Sequence, residues 1–181
     1  VGVERVIWIE AHPRLAQALS QRLIPTRGHT SFWFAASDES DKVLTLNVTN
    51  NLQSSSLLNL KKHEEIYPDI KVVEKIEVPT LKLDDFVDIY GIDRNAYNFI
   101  NLDIQGTELL ALKGASGLLD SVDYIYTEVN EEELYEGCAL IQDIDEYLNL
   151  FNFERVKTHM EKEKWGDAFY MKKQAPVVRF M

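Results

Sequence analysis

The segment Asn98-Phe-Ile-Asn-Leu-Asp-Ile-Gln-Gly-Thr-Glu-Leu-Leu-Ala-Leu-Lys-Gly-Ala115 restricts the fold more than any other part of the chain. It opens on Phe99, Ile100, Leu102 and Ile104, a run too continuously apolar for a half-exposed strand. That pattern predicts a strand buried on both faces of a parallel sheet. Asp103 interrupts the run and Gln105-Gly106 closes it. A helix follows, with Leu109 and Leu112 on one side and Gly114 as its stop. Strand, acid, glycine turn, helix is how an open α/β sheet builds a ligand site at the carboxyl ends of its strands. An aspartate at such a strand end needs a partner, because a buried unpaired charge is costly. Asp103 either meets a ligand there or caps the following helix.

The rest of the chain alternates in the same way. Val6-Ile-Trp-Ile9 is a short apolar strand ending in Glu10. Pro13 suits the first turn of a helix carrying Leu15, Leu19 and Leu23. Phe32 to Ala36 reads as a buried strand ending at Ser37-Asp38, and Val43 to Val48 as a sheet-edge strand. Asn50 to Asn59 is a polar loop containing Ser54-Ser-Ser56. Ile76 and Val78 alternate with polar neighbours. Leu83 to Tyr90 is a short helix stopped by Gly91. Tyr124 to Val129 is another buried strand, ending at Glu128. Ile141, Ile144, Leu148 and Phe151 form one helical face. Two final strands, around Val156–Thr158 and Ala168–Met171, predict an antiparallel hairpin at the sheet edge. With 181 residues and 45% hydrophobic content, the expectation is one α/β domain spanning residues 1–181.

Three of these strands end in acids: Glu10, Asp103 and Glu128. In one parallel sheet they would lie along one edge. Glu10 suits the two hydroxyls of a ribose, since a carboxylate offers two acceptor oxygens; a helix-entry role beside Pro13 is the alternative. Glu128 is either part of that site or a buried structural acid. Glu108, in the first turn of its helix, is equally well explained by the helix dipole. His12, His29, His63 and His159 lack metal-ligand spacing and read as surface or loop residues, so no metal site is expected. Cys138 reads as a small core residue. The net charge of -11 argues against nonspecific binding to nucleic acid or anionic membranes. One cysteine, no signal-peptide pattern and no apolar run near ~20 residues point to a cytoplasmic protein.

The ordered segments Val6-Ile-Trp-Ile-Glu-Ala-His-Pro13, Ala35-Ala-Ser-Asp38, Ser54-Ser-Ser-Leu57, Thr80-Leu-Lys-Leu-Asp-Asp85, Asn101-Leu-Asp-Ile-Gln-Gly-Thr-Glu108, Leu112-Lys-Gly-Ala115, Thr127-Glu-Val-Asn130 and Trp165-Gly-Asp-Ala-Phe-Tyr170 together resemble the FkbM family of S-adenosylmethionine-dependent methyltransferases. The resemblance implies a Rossmann-like methyltransferase sheet, mostly parallel, with the antiparallel hairpin at its end. It implies O-methylation of a hydroxyl on a saccharide or small metabolite. Glu10 would hold the cofactor ribose, Ser37 and Asp38 would lie near the adenine, and Asp103 near the methionine moiety and the acceptor. Asp103, Glu108 and Glu128 would supply the base. The family's first strand and its glycine-rich turn have no counterpart in the sequence. That strand is expected between the Val6–Ile9 and Phe99–Ile104 strands, so the chain reads as an N-terminally truncated portion of a longer protein. Two apolar strands flanking a gap would favour self-association, hence a homo-oligomer, unless Pro176-Val-Val-Arg-Phe180 fills it. A non-catalytic α/β interaction or carbohydrate-binding module on the same fold is the reading from a different functional class.

Overall fold

The computed structural model describes residues 4–173. The chain runs β1 (Val6–Glu10), α1 (Pro13–Leu23), β2 (His29–Trp33), β3 (Ala35–Ala36), β4 (Val43–Thr49), α2 (Lys62–Ile66), β5 (Val72–Leu81), α3 (Leu83–Ile89), β6 (Phe99–Leu102), α4 (Glu108–Lys113), β7 (Tyr124–Asn130), α5 (Ile141–Asn149), β8 (Phe153–Met160) and β9 (Trp165–Lys172). No helix among the described residues is long and apolar enough to cross a membrane. The segment Pro176–Phe180 lies outside the described residues.

The strands form three hydrogen-bonded groups rather than one mostly parallel sheet: β1-β2, β3-β5-β4 and β6-β7-β9-β8. β1 with β2, β3 with β5, and β6 with β7 pair in parallel; the β4-β5, β7-β9 and β8-β9 pairs are antiparallel. The expectation of a mostly parallel sheet is thus corrected to an even mixture. Its physical origin is β5, which pairs with β4 over a long antiparallel ladder and with β3 through only Ala35 and Ala36. The C-terminal hairpin, β8 with β9, is as expected.

The predicted strand from Phe32 to Ala36 is split. β2 ends at Trp33, Phe34 packs into the core, and β3 carries on from Ala35. Phe32 and Phe34 both meet Phe86 of α3, with ring centroids 4.7 and 5.2 Å apart. These contacts carry the chain from one group to the next. The principal core joins α3, α4, α5 and β7 through Leu83, Phe86, Leu112, Ile125, Ile144 and Leu148.

β6 is not buried on both faces. Phe99 is 49% exposed and only Leu102 is buried. The reason is its neighbourhood: among the described residues β6 pairs only with β7, and β1 only with β2. Each keeps one unpaired edge, and both border the same large cavity. A cleft lies between these two strands, lined by Val6, Ile7 and Ile9 on one side and by Phe99, Ile100 and Leu102 on the other.

Two short motifs have structural duties. Asp84 accepts from the N–H groups of Gly117 and Leu118 at 2.8 Å each and pairs with Arg94 at 2.9 Å, tying α3 to the turn beyond α4. Gly114 sits where a Cβ would stand 2.0 Å from the carbonyl oxygen of Ser37, so only glycine permits that approach.

Candidate active site

The cavity has a volume of about 1350 Å³. Its walls bring Glu10, Asp103 and Glu128 together, one from the end of β1, one from just past β6 and one from β7. Ser37 and Asp38 are not among its lining residues. Ser37 is buried with its N–H bonded to the Leu81 carbonyl at 3.3 Å, and its hydroxyl lies 3.3 Å from Asp38 Oδ1. Among the described residues no group of three His, Cys, Asp or Glu is arranged to hold a metal ion.

Glu10 Oε1 accepts from the backbone N–H of His12 at 2.7 Å, which fixes the carboxylate at the cavity rim. His12 is the N-cap of α1, accepting the Arg14 N–H at its Nδ1. His12 is a loop residue, as expected, but a buried one at 3% exposure; His63, inside α2 and 4% exposed, is neither a surface nor a loop residue.

The turn after β6 holds the acids. Gln105 and Gly106 both adopt positive φ, 57° and 99°. A left-handed glutamine is uncommon and persists only where its surroundings enforce it. Ser56 donates its hydroxyl to the Gln105 carbonyl at 2.6 Å, so the serine loop supports this turn. Glu108 Oε1 reaches back to accept from the N–H groups of Ile104 at 3.0 Å and Gly106 at 3.1 Å. Burial pushes Glu108 up to about 7 against the pull of those bonds.

The side chain of Gln105 spans the remaining groups. Its Nε2 donates to Asp103 Oδ1 at 2.6 Å and to Glu128 Oε2 at 2.8 Å, and its Oε1 accepts the Tyr135 hydroxyl at 2.5 Å. Glu128 is only 6% exposed. Burial first, then the charges of Glu108 and Asp103 and a hydrogen bond with Asp103, push it up to about 9. At neutral pH Glu128 therefore keeps its proton while Asp103 lies more exposed at the cavity. None of the ion pairs among the described residues includes Glu108, Asp103 or Glu128.

Beyond this cluster the wall turns aromatic. His63 packs between Tyr67 and Tyr135, with ring centroids at 5.0 and 5.4 Å, and Trp165 donates its indole N–H to the Tyr67 hydroxyl at 3.0 Å. Burial lowers the His63 pKa, keeping the imidazole neutral. Cys138 is buried behind Gly106, and its thiol is pushed up by burial. Tyr135 and Tyr67 carry no local sequence signal. Gln105 carried one, in its place between a strand-end acid and a glycine.

The cavity thus lies between the open edges of β1 and β6, with Glu10, Asp103 and Glu128 on its walls. In the family comparison, the model of the methyltransferase FkbM domain matches residues 2–155, and the chain belongs to that family. It is also similar to the 2-O-methyltransferase NoeI of Sinorhizobium fredii (strain NBRC 101917 / NGR234), with 32% identity over 98 residues. That match covers 54% of this chain and 40% of the relative, so the chain spans well under two thirds of that protein's length. No solved structure matches the chain.

Proposed function

We propose that this methyltransferase domain transfers a methyl group from S-adenosylmethionine to a hydroxyl of a saccharide or small metabolite, on a Rossmann-like framework. The observation that carries this reading is the convergence of Glu10, Asp103 and Glu128 on one cavity from the end of β1, the turn after β6 and the second half of β7. The site's chemistry fits that cofactor. An apolar-walled cavity closed by carboxylates suits a ligand combining an adenine ring, a ribose diol and a cationic sulfonium. When bound, the cofactor supplies an electrophilic methyl group on that sulfonium.

The chain's own residues divide the remaining work. Glu10, fixed by the His12 N–H, holds the ribose hydroxyls. Ser37 and Asp38 act on the adenine side, through the β3 end rather than by lining the cavity directly. Asp103 takes the proton of the acceptor hydroxyl. Glu128, holding its proton at neutral pH, accepts from Gln105 Nε2 and shares a second hydrogen bond with Asp103. Glu108 sustains the turn by accepting two backbone N–H groups, which leaves it to tune the cluster's charge. The relative's name specifies a 2-O position, and a hydroxyl acceptor on a pyranose ring suits the aromatic wall of Tyr67, Tyr135 and Trp165. A cytoplasmic setting suits the free thiol of Cys138, and pairing of the open β1 and β6 edges between copies suits a homo-oligomer.

The test is incubation with S-adenosylmethionine carrying a labelled methyl group and a panel of methyl glycopyranosides and small hydroxylated metabolites, with calorimetric titration of the cofactor alongside. Label on a sugar oxygen is the expected result. Cofactor affinity without label on any hydroxyl would sink the O-methylation reading, and no cofactor affinity would sink the whole assignment.

A further inference from the structure

The division of labour above leaves one buried polar side chain of the cavity without a duty. His63 is 4% exposed, and its ring forms part of the cavity wall. Its Nδ1 is enclosed and has no hydrogen-bond partner among the described residues. The one other enclosed atom in that position there is Asn130 Oδ1, which does not line the cavity. A buried polar group without a partner is costly, and each such group calls for an explanation.

The imidazole is held on a firm wall rather than on a free loop. The N–H groups of Lys61 and His63 both donate to the Leu134 carbonyl, at 2.8 and 3.1 Å, and the Glu136 N–H donates to the Asn59 carbonyl at 2.8 Å. Ion pairs of Lys61 with Glu133 and of Lys62 with Glu132 bind α2 to the same segment. Tyr67 and Tyr135 pack on the ring from either side. Burial keeps the ring neutral, so it carries one donor and one acceptor nitrogen. A proton on Nδ1 would be an enclosed donor with no acceptor, so the proton belongs on Nε2. The Nε2 also lacks a partner among the described residues but is not enclosed, so it is the polar atom the ring turns to the cavity. The neighbouring donors are already used within the wall: the Trp165 indole N–H donates to Tyr67 and the Tyr135 hydroxyl to Gln105.

We propose that His63 is an acceptor-binding residue, donating its ring N–H to a second hydroxyl of the molecule that is methylated. The inference rests on the methyl-transfer reading and narrows its substrate class. Tyr135 stands between His63 and the acids: its ring packs on the imidazole, and its hydroxyl reaches Gln105, which bonds Asp103 and Glu128. An acceptor with one hydroxyl at Asp103 therefore meets His63 through a hydroxyl on the opposite side of its own ring. A polyhydroxylated ring, a saccharide, satisfies both ends; a metabolite with a single hydroxyl does not.

The experiment uses the full chain carrying nitrogen-15 histidine, without cofactor, titrated with the methyl glycopyranosides and, separately, with cyclohexanol, a ring with one hydroxyl. A glycoside should move the His63 Nε2 signal and leave that of the exposed His159 in place, and cyclohexanol should not move it. His63→Phe keeps an aromatic ring between Tyr67 and Tyr135 and removes both nitrogens. It should bind the same glycoside about tenfold more weakly, the loss of one hydrogen bond, with a melting temperature no lower than wild type because the orphaned nitrogen is gone. A merely structural histidine would give the reverse, unchanged affinity and a lower melting temperature. A His63 signal that no glycoside moves, or that cyclohexanol moves equally, overturns the inference even if methyl transfer is confirmed. If His63→Phe does not fold, the titration of the wild-type chain decides alone. A moved signal in a chain that transfers no methyl group upholds the binding role and removes the reaction assigned to it.

Discussion

Replacing Glu128 by glutamine should stabilise this protein at neutral pH and do little at pH 5. Glu128 titrates near 9 in the folded chain against an ordinary carboxyl value of 4.5, chiefly through burial. Below 4.5 both folded and unfolded chains carry the proton and nothing is lost. As the pH rises above 4.5 the unfolded chain releases its proton while the folded one keeps it, so stability falls until the folded group also ionises near 9. At pH 7 the unfolded chain has gained two and a half pH units of ionisation free energy at about 1.4 kcal/mol each, or about 3.5 kcal/mol. Glutamine mimics the protonated acid: its oxygen accepts from Gln105 and its N–H can face Asp103, but it releases nothing on unfolding. Glu128→Gln should therefore be more stable by about 3.5 kcal/mol at pH 7, with a melting temperature roughly 7–14 °C higher, and within about 1 kcal/mol of wild type at pH 5. Urea unfolding followed by tryptophan fluorescence at pH 5, 6, 7 and 8 measures this. Glu108, raised to about 7, steepens the wild-type decline over the same range, whereas His63, lowered by burial, opposes it below 6.5. Both are present in both proteins, so the difference curve isolates Glu128. The exposed acids with lowered values, Asp85, Glu132 and Glu133, act only below 4.5. A glutamine variant whose advantage is the same at pH 5 and pH 7 would refute the reasoning.

Two further outcomes are expected. Glu10→Ala should weaken S-adenosylmethionine binding by roughly tenfold to a hundredfold, the loss of one charged acceptor worth about 1.5–3 kcal/mol, with the melting temperature little changed; calorimetric titration of a folded mutant with unaltered affinity would remove Glu10 from the site. Gly114→Ala forces a Cβ to within 2.0 Å of the Ser37 carbonyl and 3.3 Å of the Lys82 Cα, so the α4 end must shift and stability should drop by about 1–3 kcal/mol in urea unfolding, a loss that no gain in helix propensity offsets.

The local periodicities were enough to place most elements, because burial and period coincide in them. α5 buries Ile141, Ile144 and Leu148 on one face, and β7 buries Ile125, Thr127 and Val129, as their spacing requires. The strand-end acids were legible for a related reason: an acid that closes an apolar run must be accommodated, and accommodation happens at an edge. What failed was pairing. Nothing local to Phe32–Ala36 says that the strand breaks at Phe34, since the break depends on Phe86 of a distant helix. Nothing local to Phe99 says that its strand keeps an open edge. Histidine spacing was uninformative for the same reason: His63 is buried by Tyr67 and Tyr135, the second of them far along the chain. Gln105 was visible as a turn residue, but its side-chain role appears only when Tyr135 and Glu128 arrive from beyond β6.

The two most perturbed acids differ in what explains them. Glu108 is buried for a reason internal to the fold: its carboxyl oxygen satisfies the Ile104 and Gly106 N–H groups, which the sharp turn leaves without strand or helix partners. Its burial offsets a cost the turn would otherwise carry. Glu128 has no comparable duty. It accepts from Gln105, a bond that a neutral amide at the same position would make equally well, and it carries a stability deficit at neutral pH that such an amide would remove. A group that costs stability and borders the cavity beside Asp103 fits a part in the reaction proposed above. In the proposed reaction Glu128 is the proton-bearing group: burial keeps its proton at neutral pH, and a hydrogen bond joins it to Asp103 at the cavity.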